Sequence, residues 1–107
     1  MNPIVKNIFE SLPGDLRSEA IEELVRSGKL RIERIVSRGH STEQSQWYDQ
    51  DQDEWVMVLK GEAIIGLEDN TEHHMVPGSY LTLAAHTRHR VNWTKPDTET
   101  IWLAIHY

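Results

Sequence analysis

The chain has 107 residues, with 11 Lys and Arg against 17 Asp and Glu, a net charge of −6, 38% apolar residues and no cysteine. That length holds one domain, since domains run roughly 100–150 residues, and the lack of cysteine excludes disulfides, zinc fingers and thiol nucleophiles. An acidic chain with scattered basic residues is a poor partner for a phosphate backbone, so no nucleic-acid partner is expected. No apolar run approaches the roughly 18–20 residues of a membrane helix. The opening MNPIVKNIFESLPGDL lacks the basic-then-apolar layout of a secretion signal. A soluble, cytoplasmic protein with no membrane contact is the expectation.

In chain order, the first element predicted is a helix. Leu16, Ala20, Ile21, Leu24 and Val25 fall on one helical face, Pro13 and Gly14 precede it, Asp15 is a candidate N-cap and Gly28 a natural stop. This reading makes residues 1–28 a helical segment that packs an apolar stripe on the rest of the chain, residues 29–107. From Leu30 the period changes to two. LRIERIV (30–36), EWVMVLK (54–60), EAIIGLE (62–68), HHMV (73–76), YLTLA (80–84), RHRVNW (88–93) and TIWLAIHY (100–107) read as strands. Gly61, the EDN at 68–70, the PG at 77–78 and the KPD at 95–97 punctuate them. About seven short strands at close spacing predict an all-β sandwich or small barrel. WVMVL and IWLAI are apolar on both faces, so both faces are expected to be covered. SRGHSTEQSQ (37–46) is a long polar loop, of the kind that is often functional.

Six histidines are a surplus for this length. His73 and His74 adjoin a hairpin turn and are expected on the surface. The DQDQDE run (49–54) has alternating aspartates, yet a calcium loop needs glycine and glutamate where Glu54 and Lys60 stand. Glu54 opens an otherwise apolar strand on the face of Val56 and Val58, and His89 opens another on the face of Val91 and Trp93. A carboxylate facing a barrel interior costs several kcal/mol unless it is paired, protonated or bound to a cation. Glutamate and histidine at two strand mouths suit Fe, Mn, Ni or Zn; the same residues also make a metal-free hydrogen-bonded pair.

With these motifs in view, the chain resembles the cupin superfamily over about Ile32 to Tyr107. Glu54 and Gly61 match the Glu-x6-Gly that ends the family's first motif. Ala84 to His89 match the second, roughly Pro-x-Gly-x2-His, with Ala84 and His86 in place of proline and glycine. The resemblance implies a small cupin barrel (a double-stranded β-helix, or jelly roll) with a pocket at the barrel mouth, to which the periodicity adds the one short N-terminal amphipathic helix. Family members that bind metal typically use three histidines and the glutamate. Here the first-motif histidines fall on Tyr48 and Gln50, or on Trp47 and Asp49, so only Glu54 and His89 carry over.

The implied metal set is therefore unusual: His40, Glu54, His86 and His89 around one divalent ion. A metal-free pocket would use Trp47, Tyr48, Gln50 and Trp93 beside the same Glu54, His86 and His89. Two functions follow: a metal-dependent or small-molecule-binding barrel, enzymatic or not, or a metal-free ligand-sensing or accessory protein with no catalytic activity. Trp55, Met57 and Leu59 form an outward apolar patch that needs a cover, and the resemblance implies a homodimer. Arg88 and Arg90 point away from His89 and are expected to pair with surface acids.

Overall fold

The computed structural model describes residues 2–107. Eight strands make two antiparallel sheets facing one another. They are β1 Ala20–Ser27, β2 Leu30–Ser37, β3 Glu54–Lys60, β4 Ala63–Leu67, β5 Glu72–Met75, β6 Tyr80–Leu83, β7 His89–Thr94 and β8 Thr100–His106. The larger sheet runs β1-β2-β8-β3-β6 and the smaller β5-β4-β7. Val56, Val58, Ala63, Ile65, Met75, Trp102 and Ala104 fill the space between them. Each large apolar side chain buried there contributes roughly 1.5–3 kcal/mol. The core occupies one end of the sandwich; at the other end the inward positions turn polar.

The N-terminal helix is a correction. Among the described residues there is no helix, hence none able to cross a membrane; Ala20–Ser27 is an edge strand, and Met1 lies outside the described residues. Ser27 pairs with Leu30, so Gly28 and Lys29 form a two-residue hairpin loop that begins with Gly28 at φ +57°. Only glycine enters that conformation without strain. A register shift between Glu23 and Val25 slips the alternation by one residue. That slip spaces Ile21, Leu24 and Val25 like a helical stripe. Those three side chains stay about half exposed, so a helix there would have had no face to bury. Pairing with β2 satisfies the backbone instead. The expected boundary at 28/29 coincides with the tip of this hairpin.

Before β1, the chain crosses the outer face of the larger sheet and is fastened there by Arg34. Its Nη1 donates to the carbonyls of Ile8 (3.1 Å) and Glu10 (2.7 Å), and its Nη2 to that of Ser11 (3.1 Å). Nε and Nη2 also bind Glu22 Oε1, at 3.2 and 2.6 Å. Val36 and Ile101, on the same face, are completely buried. Beyond the fastened stretch Ile4 and Val5 are exposed. Further along that face Trp55, Met57 and Leu59 are half-buried, and Tyr80, whose ring lies 5.5 Å from that of Trp55, is 63% exposed.

The loop over 37–53 is laced to β7. Thr42 N donates to Val91 O (2.8 Å), Thr94 Oγ1 to His40 O (2.6 Å), and Tyr48 and His89 exchange a pair of backbone bonds.

Candidate functional site

The polar end of the barrel is built from one row across the larger sheet. Arg31 on β2 sits opposite His106 on β8, His106 opposite Glu54 on β3, and Glu54 opposite Leu83 on β6. Alternation points all of them inward, with Glu33 two residues along β2. His89 faces them from β7, and the Tyr48 ring stacks on it at 5.6 Å. Together with Glu19, Gln50 and an apolar floor that includes Val56, Ile65 and Trp102, they line a cavity of about 190 Å³.

Two carboxylate–imidazole pairs occupy it. His106 Nε2 lies 3.0 Å from Glu33 Oε1, and Arg31 Nε lies 3.0 Å from Glu33 Oε2. A carboxylate only accepts, so His106 carries its proton on Nε2, and Nδ1 is left as a bare acceptor with no partner. His89 is held by Nδ1, which donates to Thr87 O at 2.9 Å. Its Nε2 faces Glu54 Oε1 at 3.5 Å, too long for a good hydrogen bond, and Oε1 is buried without a partner. A neutral His89 would set two lone pairs against each other across that gap, so a proton or another cation belongs between them. Burial opposes charge on His89, but the Glu54 carboxylate and the Thr87 carbonyl outweigh it and hold the imidazole above its ordinary value. Burial, then the charge of Glu19, pushes the Tyr48 hydroxyl up, so it stays a neutral hydroxyl. Trp102 Nε1, on the floor, is also buried without an acceptor.

Of the residues predicted from sequence, Glu54, His89, Tyr48 and Gln50 meet in this cavity. The others lie elsewhere. His40 turns its Nδ1 to its own loop, accepting from Arg38 N at 2.9 Å. His86 lies on the surface beside Asp49, 2.8 Å from its Oδ1. Thr87 N donates to Ala84 O and His86 has φ +64°, the pattern of a type II turn. The family motif has glycine at this point, and the turn shows why. Trp47 lies outside, beneath Arg90, whose guanidinium is 4.4 Å from the ring centre. Trp93 is displaced by a bulge: Ile64 pairs with Trp93 but Ile65 with Val91, so Asn92 is an extra residue. That residue reverses the parity carried from His89 and turns Trp93 outward. His73 and His74 are on the surface, the latter against Glu62. Arg88 pairs with Glu68 at 3.3 Å, as expected.

Sequence reasoning leaves His106 unassigned between pocket and surface and does not single out Glu33, Arg31 or Glu19. His106 shares parity with Trp102 and Ala104, which was the available signal. Arg31 and Glu33 gave none, because LRIERIV is more apolar on the face that turns outward.

A family model for the cupin domain matches residues 25–106. The chain belongs to the cupin family. Among solved structures, this cupin is similar to a proposed mannose-6-phosphate isomerase from Ralstonia eutropha JMP134, with 42% identity over 97% of each chain and a TM-score of 0.92. It shares its fold with a cupin superfamily protein from Desulfitobacterium hafniense DCB-2, at 21% identity, 89% and 82% coverage and a TM-score of 0.74. It also shares the fold of Fe(II) HppE, at 15% identity and a TM-score of 0.74, covering 98% of this chain and 60% of that one. No curated protein matches it.

Cupins often hold a divalent metal, so the donor set of this one bears directly on its chemistry. Among the described residues no three His, Cys, Asp or Glu side chains are grouped as a metal site. Glu54 and His89 converge, but His106 Nε2 is committed to Glu33, and His40 and His86 lie away from the cavity. A zinc site needs four donors at about 2.0–2.3 Å. The residues present do not fit the three-histidine-and-glutamate set.

Proposed function

We propose that this cupin is a metal-independent barrel that binds a small polar molecule at the mouth formed by Glu54 and His89. The observation that supports it is a set of four buried polar atoms without hydrogen-bond partners, Arg31 Nε, Glu54 Oε1, His106 Nδ1 and Trp102 Nε1, on residues that line one cavity. Each such atom costs about 1–3 kcal/mol when buried unsatisfied, and a bound molecule relieves it. The Glu54–His89 pair can also hold and move a proton, so acid–base chemistry on that molecule is within its means. Isomerisation of mannose 6-phosphate, taken from the name of the Ralstonia protein, is the second reading, carried by that 42% identity. It needs a cation for the phosphate, and Arg31, the one Lys or Arg lining the cavity, is already engaged by Glu33.

The test is elemental analysis of untagged protein, purified without chelator, beside a thermal-shift screen of small polar compounds. Less than about a tenth of an equivalent of Fe, Mn, Ni or Zn, with ligand-dependent stabilisation lost in Glu54→Gln, is the expected result. By ligand linkage, saturation at a hundred times Kd adds about 2.7 kcal/mol. Near one equivalent of metal, lost in Glu54→Gln, would overturn the metal-independent reading.

The outer face of the larger sheet supports a homodimer. Trp55, Met57 and Leu59 are only half-buried there and Tyr80 is 63% exposed. Light scattering after gel filtration is expected to give twice the chain mass for the wild type and the single chain mass for Tyr80→Glu. A monomeric wild type would remove this assignment.

A further inference from the structure

The charges lining the cavity do not balance, and the imbalance points to the kind of molecule it takes; this rests on the ligand-binding reading above. Glu19, Glu33 and Glu54 face one guanidinium, Arg31. Glu33 is engaged by a hydrogen bond to His106 at 3.0 Å and by an ion pair with Arg31 at 3.0 Å. Glu19 accepts from Ser37 Oγ at 2.8 Å. Glu54 remains: it is 7% exposed, one of its oxygens makes no hydrogen bond, and its nearest cationic groups are imidazoles, His89 Nε2 at 3.5 Å from Oε1 and His106 Nε2 at 4.0 Å from Oε2. His106 Nδ1, 3% exposed, is a second acceptor without a donor. Trp102 Nε1, 3% exposed, is a donor without an acceptor, and Arg31 Nε, although 3.0 Å from Glu33 Oε2, makes no hydrogen bond. With the charge of Arg31 met by Glu33, the complement of the two acceptors, one of them charged, and the Trp102 donor is a molecule with a positive N–H group and an oxygen. An anion there would face surplus carboxylates in a site of low dielectric. At 190 Å³ the cavity equals about six water molecules at roughly 30 Å³ each.

We propose that the cavity selects a small cationic amino alcohol over phosphorylated or carboxylated molecules, with the ammonium set against Glu54 and a hydroxyl oxygen accepting from Trp102 Nε1.

Calorimetric titration of the full chain with four compounds of one skeleton tests this: 3-amino-1,2-propanediol, glycerol, glycerate and glycerol 3-phosphate. The amine is expected to bind about tenfold more tightly than glycerol, and the two anions more weakly than either. In Glu54→Gln the amine should fall to the level of glycerol while glycerol still binds. Equal binding of amine and glycerol to the wild type, or tighter binding of either anion, overturns the ligand class and leaves the binding pocket standing. No heat from any of the four up to tens of millimolar, with unchanged tryptophan fluorescence, overturns the pocket as well.

Discussion

Replacing Gly61 by alanine is expected to lower stability by about 3 kcal/mol, which for a domain of this size moves Tm down by roughly 12–24 °C. Gly61 follows β3 directly, at φ +86°, where an L side chain is strained. A Cβ there would stand 2.4 Å from Thr100 Oγ1, 2.6 Å from Thr100 Cα and 2.8 Å from Glu99 O. Two of those atoms are backbone, and the third is fixed because Thr100 Oγ1 donates to Glu62 O and accepts from Glu62 N. Neither neighbour can yield without breaking the turn into β4. Gly78 is the matched control. Its φ is +92°, yet nothing lies within 4 Å of a Cβ built on it, so Gly78→Ala carries only the conformational cost of about 1–2 kcal/mol. Thermal unfolding of both variants separates wall from strain. Equal losses would show that crowding against Thr100 contributes nothing.

Arg34→Met is expected to release the N-terminal strap and to cost about 2–4 kcal/mol. Breaking a fully buried ion pair costs about 3–5 kcal/mol, and the range is lowered here because Glu22 is partly solvated. The Arg34 side chain is 6% exposed and Glu22 41%. All five guanidinium N–H groups are used, three on the carbonyls of Ile8, Glu10 and Ser11 and two on Glu22. Lysine offers a single point donor in place of that planar fork, so Arg34→Lys should restore little. Limited trypsin digestion reads the release directly as faster cutting at Lys6 and Arg17, with Tm measured in parallel. Unchanged cutting and a Tm within about 4 °C of wild type, under 1 kcal/mol by the same scaling, would show that the strap is held by something other than Arg34.

The sequence and the tertiary structure divide this protein between them along a physical line. Runs of β-branched and aromatic residues between turn-forming residues locate seven of the eight strands, because such side chains suit a pleated, half-buried surface and Gly, Pro, Asn and Asp suit the turns between them. Alternation makes Glu54 and His89 stand out as polar residues heading strands whose other inward positions are apolar, and Gly61 punctuates the chain after the first of them. The errors share a cause. A bulge inserts one residue and reverses parity, which no local pattern reveals: the shift near Glu23 disguises β1 as a helix, and Asn92 turns Trp93 out of the cavity. Histidines on loops, His40 and His86, have directions set by turn geometry rather than by period. The full set of groups around Glu54 depends on strand order. Arg31, His106 and Glu54 become neighbours only because β8 inserts between β2 and β3. Residues 31, 54 and 106 are far apart in the chain, and their meeting is a property of sheet topology. The sequence by itself determined a run of seven short strands with a carboxylate and an imidazole heading two of them. Only the tertiary structure decided that a second imidazole, His106, meets Glu33 and Glu54 there and that His40 and His86 lie away from them.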